Sequence, residues 1–293
     1  MSATAATTTD IGARRASGGA PPRTLASRIT PKVLIASLIT VILVLGELRY
    51  QILGGYDRLA LALSTCVLTE VVLCRLLRNA WPRSVLSSYI SGNSLGILLK
   101  PAAGVLWPFG LGAVITIASK YVLTWRGKHL WNPTNFSIAV LVLLAPGSVT
   151  ILSHEWGNDL RVNAVIWAIG LLTVARARLL HVTLSYVLAF FALAALRSGL
   201  NGVPYLVEVA PITGPMYQLF VFFMITDPPT TVSTRRGRVL VAVLIAAFEM
   251  LLRLGNDFHV ALAAPFAPAP AIFALAIVGP LAKLVDLSRQ PPA

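Results

Sequence analysis

Metal-binding and redox-active side chains are scarce in this chain of 293 residues, which carries two Cys, four His, four Met and 11 Asp and Glu. Cys66 and Cys74 share one apolar stretch, about 12 Å apart along a helix axis, too far for a disulfide. Their spacing fits no iron-sulfur motif either, and both are expected as buried packing residues. The sequence has no phosphate-binding glycine loop, no HExxH pattern and no Ser-His-Asp order, which removes the usual hydrolase and metalloenzyme readings. Charge is sparse as well, 12% of residues against 56% hydrophobic, with a mean hydropathy of +0.77. That mixture describes an integral membrane protein whose core is built against lipid.

A net charge of +13 would ordinarily suggest nucleic acid. The Lys and Arg residues instead cluster between apolar runs, as they do in cytoplasmic loops of membrane proteins. Membrane lipid is therefore the expected partner, and nucleic acid is not. Residues 1–31 are rich in Ala, Thr, Ser, Gly and Pro with scattered Arg, and are expected to form a disordered, basic cytoplasmic tail. No secretory cleavage pattern precedes the first apolar run.

Ten apolar runs follow, at about 33–54, 58–77, 84–99, 104–124, 134–152, 161–176, 178–196, 214–226, 238–254 and 258–283. Threading them with both termini in the cytoplasm of a bacterial inner membrane puts most of the 24 Lys and Arg on the inner side. The runs at 84–99 and 214–226 are short for a hydrocarbon layer of about 30 Å and hold polar or helix-breaking residues. They fall at corresponding places in the two halves, 32–153 and 154–284, ahead of a short C-terminal tail at 285–293. Because five is odd, the second half enters from the opposite side. The expected fold is an all-α polytopic membrane protein of about ten transmembrane helices in two inverted five-helix repeats, each with an interrupted helix.

The interruptions supply the candidate site. In the second half, Asp227, Pro228 and Pro229 stop the helix that begins near Met216, leaving carbonyl groups that need protein or enclosed water around them. Thr230 and Thr231 add hydroxyls, Ser233 or Thr234 can cap the next helix, and Arg235, Arg236 and Arg238 mark a membrane edge. In the first half, Ser91, Asn93 and Ser94 lie among glycines that let backbones approach closely. Asn132 and Asn135 belong to a polar link between the fourth and fifth runs, where Asn132-Pro133 forms a turn and Asn135 can face inward. Lys128 and His129 beside tryptophans read as membrane-edge anchors, and His181 near a span start as interfacial. Glu249 with Arg253 one turn later reads as an ion pair. Glu70 and Lys120 are expected either to pair across helices or to belong to a proton path.

Several of these stretches together resemble the RnfD/NqrB family, membrane subunits of ion-translocating NADH:quinone or ferredoxin:NAD oxidoreductases. The segments are FFMITDPPTTVSTRRGR at 222–238, KHLWNPTNFSIAV at 128–140, ISGNSLGILLKP at 90–101 and, more weakly, RLGNDFHVALAAPF at 253–266. The Thr-Asp-Pro block is the most specific of them. The resemblance implies an inverted-repeat subunit that carries flavin, works with redox partner proteins and in some members couples electron transfer to sodium or proton transport. That family attaches FMN to the last Thr of a Ser/Thr-Gly-Ala-Thr motif between its fifth and sixth spans. Here the corresponding loop is PGSVTILSHEWGND, 146–159, which lacks the motif. The expectation is therefore a flavin, FMN or riboflavin, held without a covalent bond, in a stand-alone RnfD-like homologue. A channel or transporter for a small solute or ion, using the two broken helices without flavin, is the alternative.

Overall fold

A computed structural model describes residues 31–102, 104–151 and 159–290. Of the expected tail, only Pro31 falls within them.

Helix α1, Pro31–Tyr50, leads through a short turn to α2, Tyr56–Arg78, which ends where Asn79 takes the left-handed conformation, φ 48°, and its N–H reaches the Cys74 carbonyl. Helix α3, Leu86–Leu98, runs directly into the extended strand β1, Leu99–Pro101. Helix α4 spans Trp107–Val122, with Pro108 in its first turn where no N–H is needed. A two-residue hairpin joins β2, Thr124–Trp125, to β3, Lys128–His129; Arg126 and Gly127, at φ 48° and 71°, make its turn. Helix α5, Pro133–Leu144, is capped by Asn132, and strand β4, Val149–Ile151, pairs antiparallel with β1, Leu99 opposite Ile151.

The chain then continues through a further set of helices. Asp159 caps α6, Leu160–Arg176, by accepting from the Arg161 and Val162 amides. Gly202, at φ 76°, ends α7, Leu180–Asn201. A one-turn helix α8, Tyr205–Val209, and a 3-10 turn, Ala210–Thr213, lead into α9, Pro215–Leu219. Helix α9 widens into a π turn, Phe220–Met224, marked by the Ile225 N–H reaching the Phe220 carbonyl at 3.0 Å. Residues 225–234 turn back to α10, Arg235–Asp257, capped by Thr234, and a 3-10 turn precedes α11, Pro270–Ser288.

Among the described residues five helices, α1, α2, α7, α10 and α11, are long and apolar enough to cross a membrane, and the bent pair 205–213 and 215–224 makes a sixth if it counts as one span. The exposed leucines 48, 68, 76, 188, 244 and 281 give the long helices apolar outer faces, the pattern expected of lipid contact. Helix α3 sits at the centre, packed against α1, α2, α4, α5 and α9. Every residue from Ser91 to Leu99 is buried.

Three expectations are corrected here. The glycine stretch does not interrupt α3: Ser91 to Gly96 stay helical, and the break comes at Leu99. The reason is close packing, since a Cβ on Gly92 would lie 2.9 Å from the Leu63 Cα, so glycine serves helix approach and not helix ending. The fifth run stops at Leu144, because residues 149–151 are drawn into the ladder with β1. The last run becomes helical only from Pro270, after turns through Val260 and Ala263.

Candidate functional site

The interior site is built around α3. Its candidate residues Ser91, Asn93 and Ser94 are buried in mid-helix, and the Asn93 side chain donates to the Tyr89 carbonyl at 2.9 Å. On α5, Asn132 serves as the cap, accepting from the Asn135 amide at 3.0 Å, while the Asn135 side chain crosses to donate to the Ile272 carbonyl of α11 at 3.0 Å. On α9, the fully buried Gln218 donates to Asn163 of α6 and, at 3.0 Å, to the Thr213 carbonyl. Among the described residues, Thr116 Oγ1, Asn135 Oδ1 and Gln218 Oε1 are buried without a hydrogen-bond partner. They belong to α4, α5 and α9, all elements that pack against α3. Buried acceptors of this kind call for a donor, water or a cation.

The helix break forms a separate turn. The Asp227 carbonyl accepts from the Thr230 and Thr231 amides at 3.2 and 3.1 Å, and its carboxylate accepts from the Thr230 hydroxyl at 3.1 Å. The Thr231 hydroxyl donates to the Pro228 carbonyl at 3.2 Å, and Lys283 of α11 donates to the Thr231 carbonyl at 2.5 Å. Burial pushes Asp227 up to about 6, against the pull of the Thr230 hydroxyl and of Lys120, Lys32 and Lys283. The eight candidate residues thus form three groups, on α3, at the start of α5 and in this turn. Each is tied within its own segment or to α11.

The turn lies at the arginine-rich end of the bundle, where Ser233 donates to Asp286 at 2.7 Å and Arg126 donates to the Leu287 and Gln290 carbonyls, both at 2.7 Å. Glu70, Lys120 and Tyr121 also meet toward this end. Tyr121 donates to Glu70 at 2.8 Å beneath the Arg78 guanidinium, and the Lys120 amine is 4.0 Å from Glu70 and 3.0 Å from the Ser87 hydroxyl. His129, in the hairpin, is held below its ordinary value by burial and by Lys120 and Arg78.

Toward the opposite end lies a network that sequence reasoning found only in part. The pairing of Arg253 with Glu249 is present at 2.9 Å. Around it, Tyr186 and Tyr217 both donate to the fully buried Glu249, and Arg253 also donates to the Tyr217 hydroxyl. One helix end away, Arg197 holds Asp257 through two bonds of 2.7 and 2.9 Å and pairs with Glu208, while Asn201 donates to both carboxylates at 2.9 Å. Tyr186, Arg197, Glu208 and Asp257 are scattered through the sequence with no shared motif. Only the packing of α7, α8 and α10 brings them together.

A flavin requires a flat apolar slot, with hydroxyls or a cation for its side chain. The cleft beside the Thr-Asp-Pro turn offers Thr230, Thr231 and Arg238 next to Met224, Ile225, Ile245 and Leu275. This donor set fits. The cleft is narrow, with an enclosed volume of about 20 Å³, room for about one water, so it would have to open to admit a ring system. A scan against protein-family models finds no match, and a search of curated proteins finds none.

Proposed function

We propose that the chain is an integral membrane subunit of RnfD/NqrB type, taking part in flavin-linked electron transfer coupled to ion movement across a bacterial inner membrane. One observation carries the reading: the two short buried segments, α3 and α9, the latter followed by the π turn that leads into the Thr-Asp-Pro block, pack against each other inside the bundle. The proposed inverted halves are supported by recurring pairings. Helix α2 packs on α4 as α7 packs on α10, and α4 on α5 as α10 on α11. The halves touch through like elements, α1 with α6, α3 with α9 and α5 with α11, as a two-fold axis in the membrane plane requires. The arginine-rich end then faces the cytoplasm.

In this reading Thr230, Thr231 and Arg238 hold the ribityl and phosphate groups of a non-covalent flavin. When bound, the flavin supplies the electron chemistry, with electrons exchanged through redox partner proteins. The protein's own part is to position the group, to exclude lipid with Met224 and Leu275, and to carry ions past the buried amides around α3. The test is an absorbance scan of detergent-purified protein with acid release of any chromophore. About one flavin per chain is expected, reduced in Arg238→Ala.

A second reading, a channel or transporter for a small ion or solute, is favoured by one observation: the unpartnered oxygens on α4, α5 and α9 suit water or an ion and not a ring system. Colourless protein that admits a solute to liposomes would decide for it.

A further inference from the structure

Helix α11 carries a proline, Pro280, in its interior. Proline has no N–H, and its ring takes the room of the carbonyl one turn earlier, so the Ala276 carbonyl is released from the helix. It does not stay unmet. Trp131, in the link before α5, donates its indole N–H to that carbonyl at 2.8 Å, and one turn earlier Asn135 donates to the Ile272 carbonyl at 3.0 Å. The Trp131 ring packs on Phe136 of α5, centroids 5.5 Å apart. Ahead of the proline, α11 is therefore pinned in the bundle, and Pro270 to Ala274 are all buried.

Past the proline the ties are of another kind. Lys283 donates to the Thr231 carbonyl at 2.5 Å, and Asp286 accepts from the Ser233 amide and hydroxyl at 3.0 and 2.7 Å. Arg126 of the β2–β3 hairpin donates to the Leu287 and Gln290 carbonyls, both at 2.7 Å. Among the described residues, every side-chain hydrogen bond from this segment to the rest of the protein goes to a loop. The Ser233–Asp286 bonds are exposed, where water replaces them at little net cost. The turn that receives Lys283 is itself fixed to α10, by the Arg238 bond to the Val232 carbonyl at 2.8 Å and by the Thr234 cap. A separation of the two would move α11 and leave the turn in place.

The hinge stands in the wall of the narrow cleft. Leu275 and Gly279 of α11 line it together with Arg238 and Ile245 of α10 and with Thr230 and Thr231 of the turn. We propose that α11 bends at Gly279-Pro280 and that its last two turns, 281–288, are a gate which swings away from the turn to open the cleft. Lys283 and Asp286 are the latch, and Trp131 holds the fulcrum. A change of about 20° at a proline, carried along about eight residues of about 1.5 Å rise, moves the helix end by about 4 Å. That matches the roughly 3.5–4.0 Å at which carbon atoms stack. The purpose of the gate, admitting a flavin ring, rests on the reading above, whereas the hinge is measurable without flavin.

The test is a distance measurement by electron spin resonance on the full chain in lipid nanodiscs, with Cys66→Ala and Cys74→Ala, and with spin labels on Leu188→Cys of α7 and Ser288→Cys at the end of α11, both exposed. Two distance populations are expected. Pro280→Ala, which returns an N–H to the Ala276 carbonyl, is expected to leave one. Lys283→Met with Asp286→Ala is expected to raise the open fraction at least threefold, and added FMN to shift the ratio in the labelled chain that keeps Lys283 and Asp286. Thermal unfolding in detergent checks that each variant is folded. A single distance in the chain that keeps Pro280 overturns the proposal, as do two distances that persist unchanged in folded Pro280→Ala. A single distance in protein that still binds about one flavin per chain sinks the gate and leaves the electron-transfer reading standing. Two distances that collapse in Pro280→Ala but ignore FMN support the gate and count against flavin as what it admits.

Discussion

The Thr183 hydroxyl of α7 donates to the Val221 carbonyl at 3.1 Å, so the π turn at the end of α9 is held by a side chain from a neighbouring helix. A π turn shifts its hydrogen bonds by one residue and leaves carbonyls to be met from outside. Both groups are fully buried, where an unmet acceptor costs about 1–3 kcal/mol.

Thr183→Val keeps the shape and removes the donor. It is expected to destabilise the protein by about 1–2 kcal/mol, with Thr183→Ser recovering most of the loss. Thermal unfolding in detergent measures both.

Gly170 of α6 lies flat against Phe222. A Cβ there would sit 2.4 to 2.6 Å from three ring atoms, inside any tolerable contact. Gly170→Ala is expected to cost about 1–3 kcal/mol, and Phe222→Leu in the same chain to restore part of it. Additive losses in the double variant would show that the contact is not the cause.

Asp227 provides a pH signature. Its folded-state value, about 6, lies above the ordinary carboxylate value, so the folded protein holds this proton more tightly than the unfolded chain. The associated stability is complete below about pH 4 and is lost as pH rises through about 6. Asp227→Asn removes this titration and is expected to be the more stable protein at pH 8, by on the order of 2 kcal/mol, with no advantage at pH 4. Melting temperatures across that range check the sign, and loss of ion movement in the stabilised variant would separate function from folding.

Arg253→Leu leaves the fully buried Glu249 with two phenols and no cation. A loss of about 3–5 kcal/mol is expected, smaller when Glu249→Gln is present as well, because the uncompensated charge is then gone. A double-mutant cycle by thermal unfolding measures the coupling.

Much of the fold was legible in the sequence because membrane helices announce themselves by unbroken apolar runs. Each of the ten runs contains a helix, and the Asp227-Pro228-Pro229 stop and the Thr234 cap stand where chain stereochemistry puts them. Gly92 and Gly96 misled, since a glycine that breaks a helix and one that admits a neighbouring backbone look alike until Leu63 and Leu59 are seen against them. The end of α5 misled because Val149–Ile151 is as apolar as a helix and is extended only through its pairing with β1. In the candidate site, Asn135 turned inward as its place on α5 suggested, and Asp227 gathered Thr230 through local turn geometry. Gln218 and Glu208 escaped notice because their partners, Asn163 and Arg197, are set by how helices cross, which no local spacing records.

The β1–β4 ladder joins the segment leaving α3 to the segment leaving α5. During synthesis, the strand that follows the polar α3 waits for its mate until α4 and α5 have both emerged. The newborn chain is thus expected to keep this helix sheltered in the insertion machinery, and to release it into the bundle only once the fifth helix arrives.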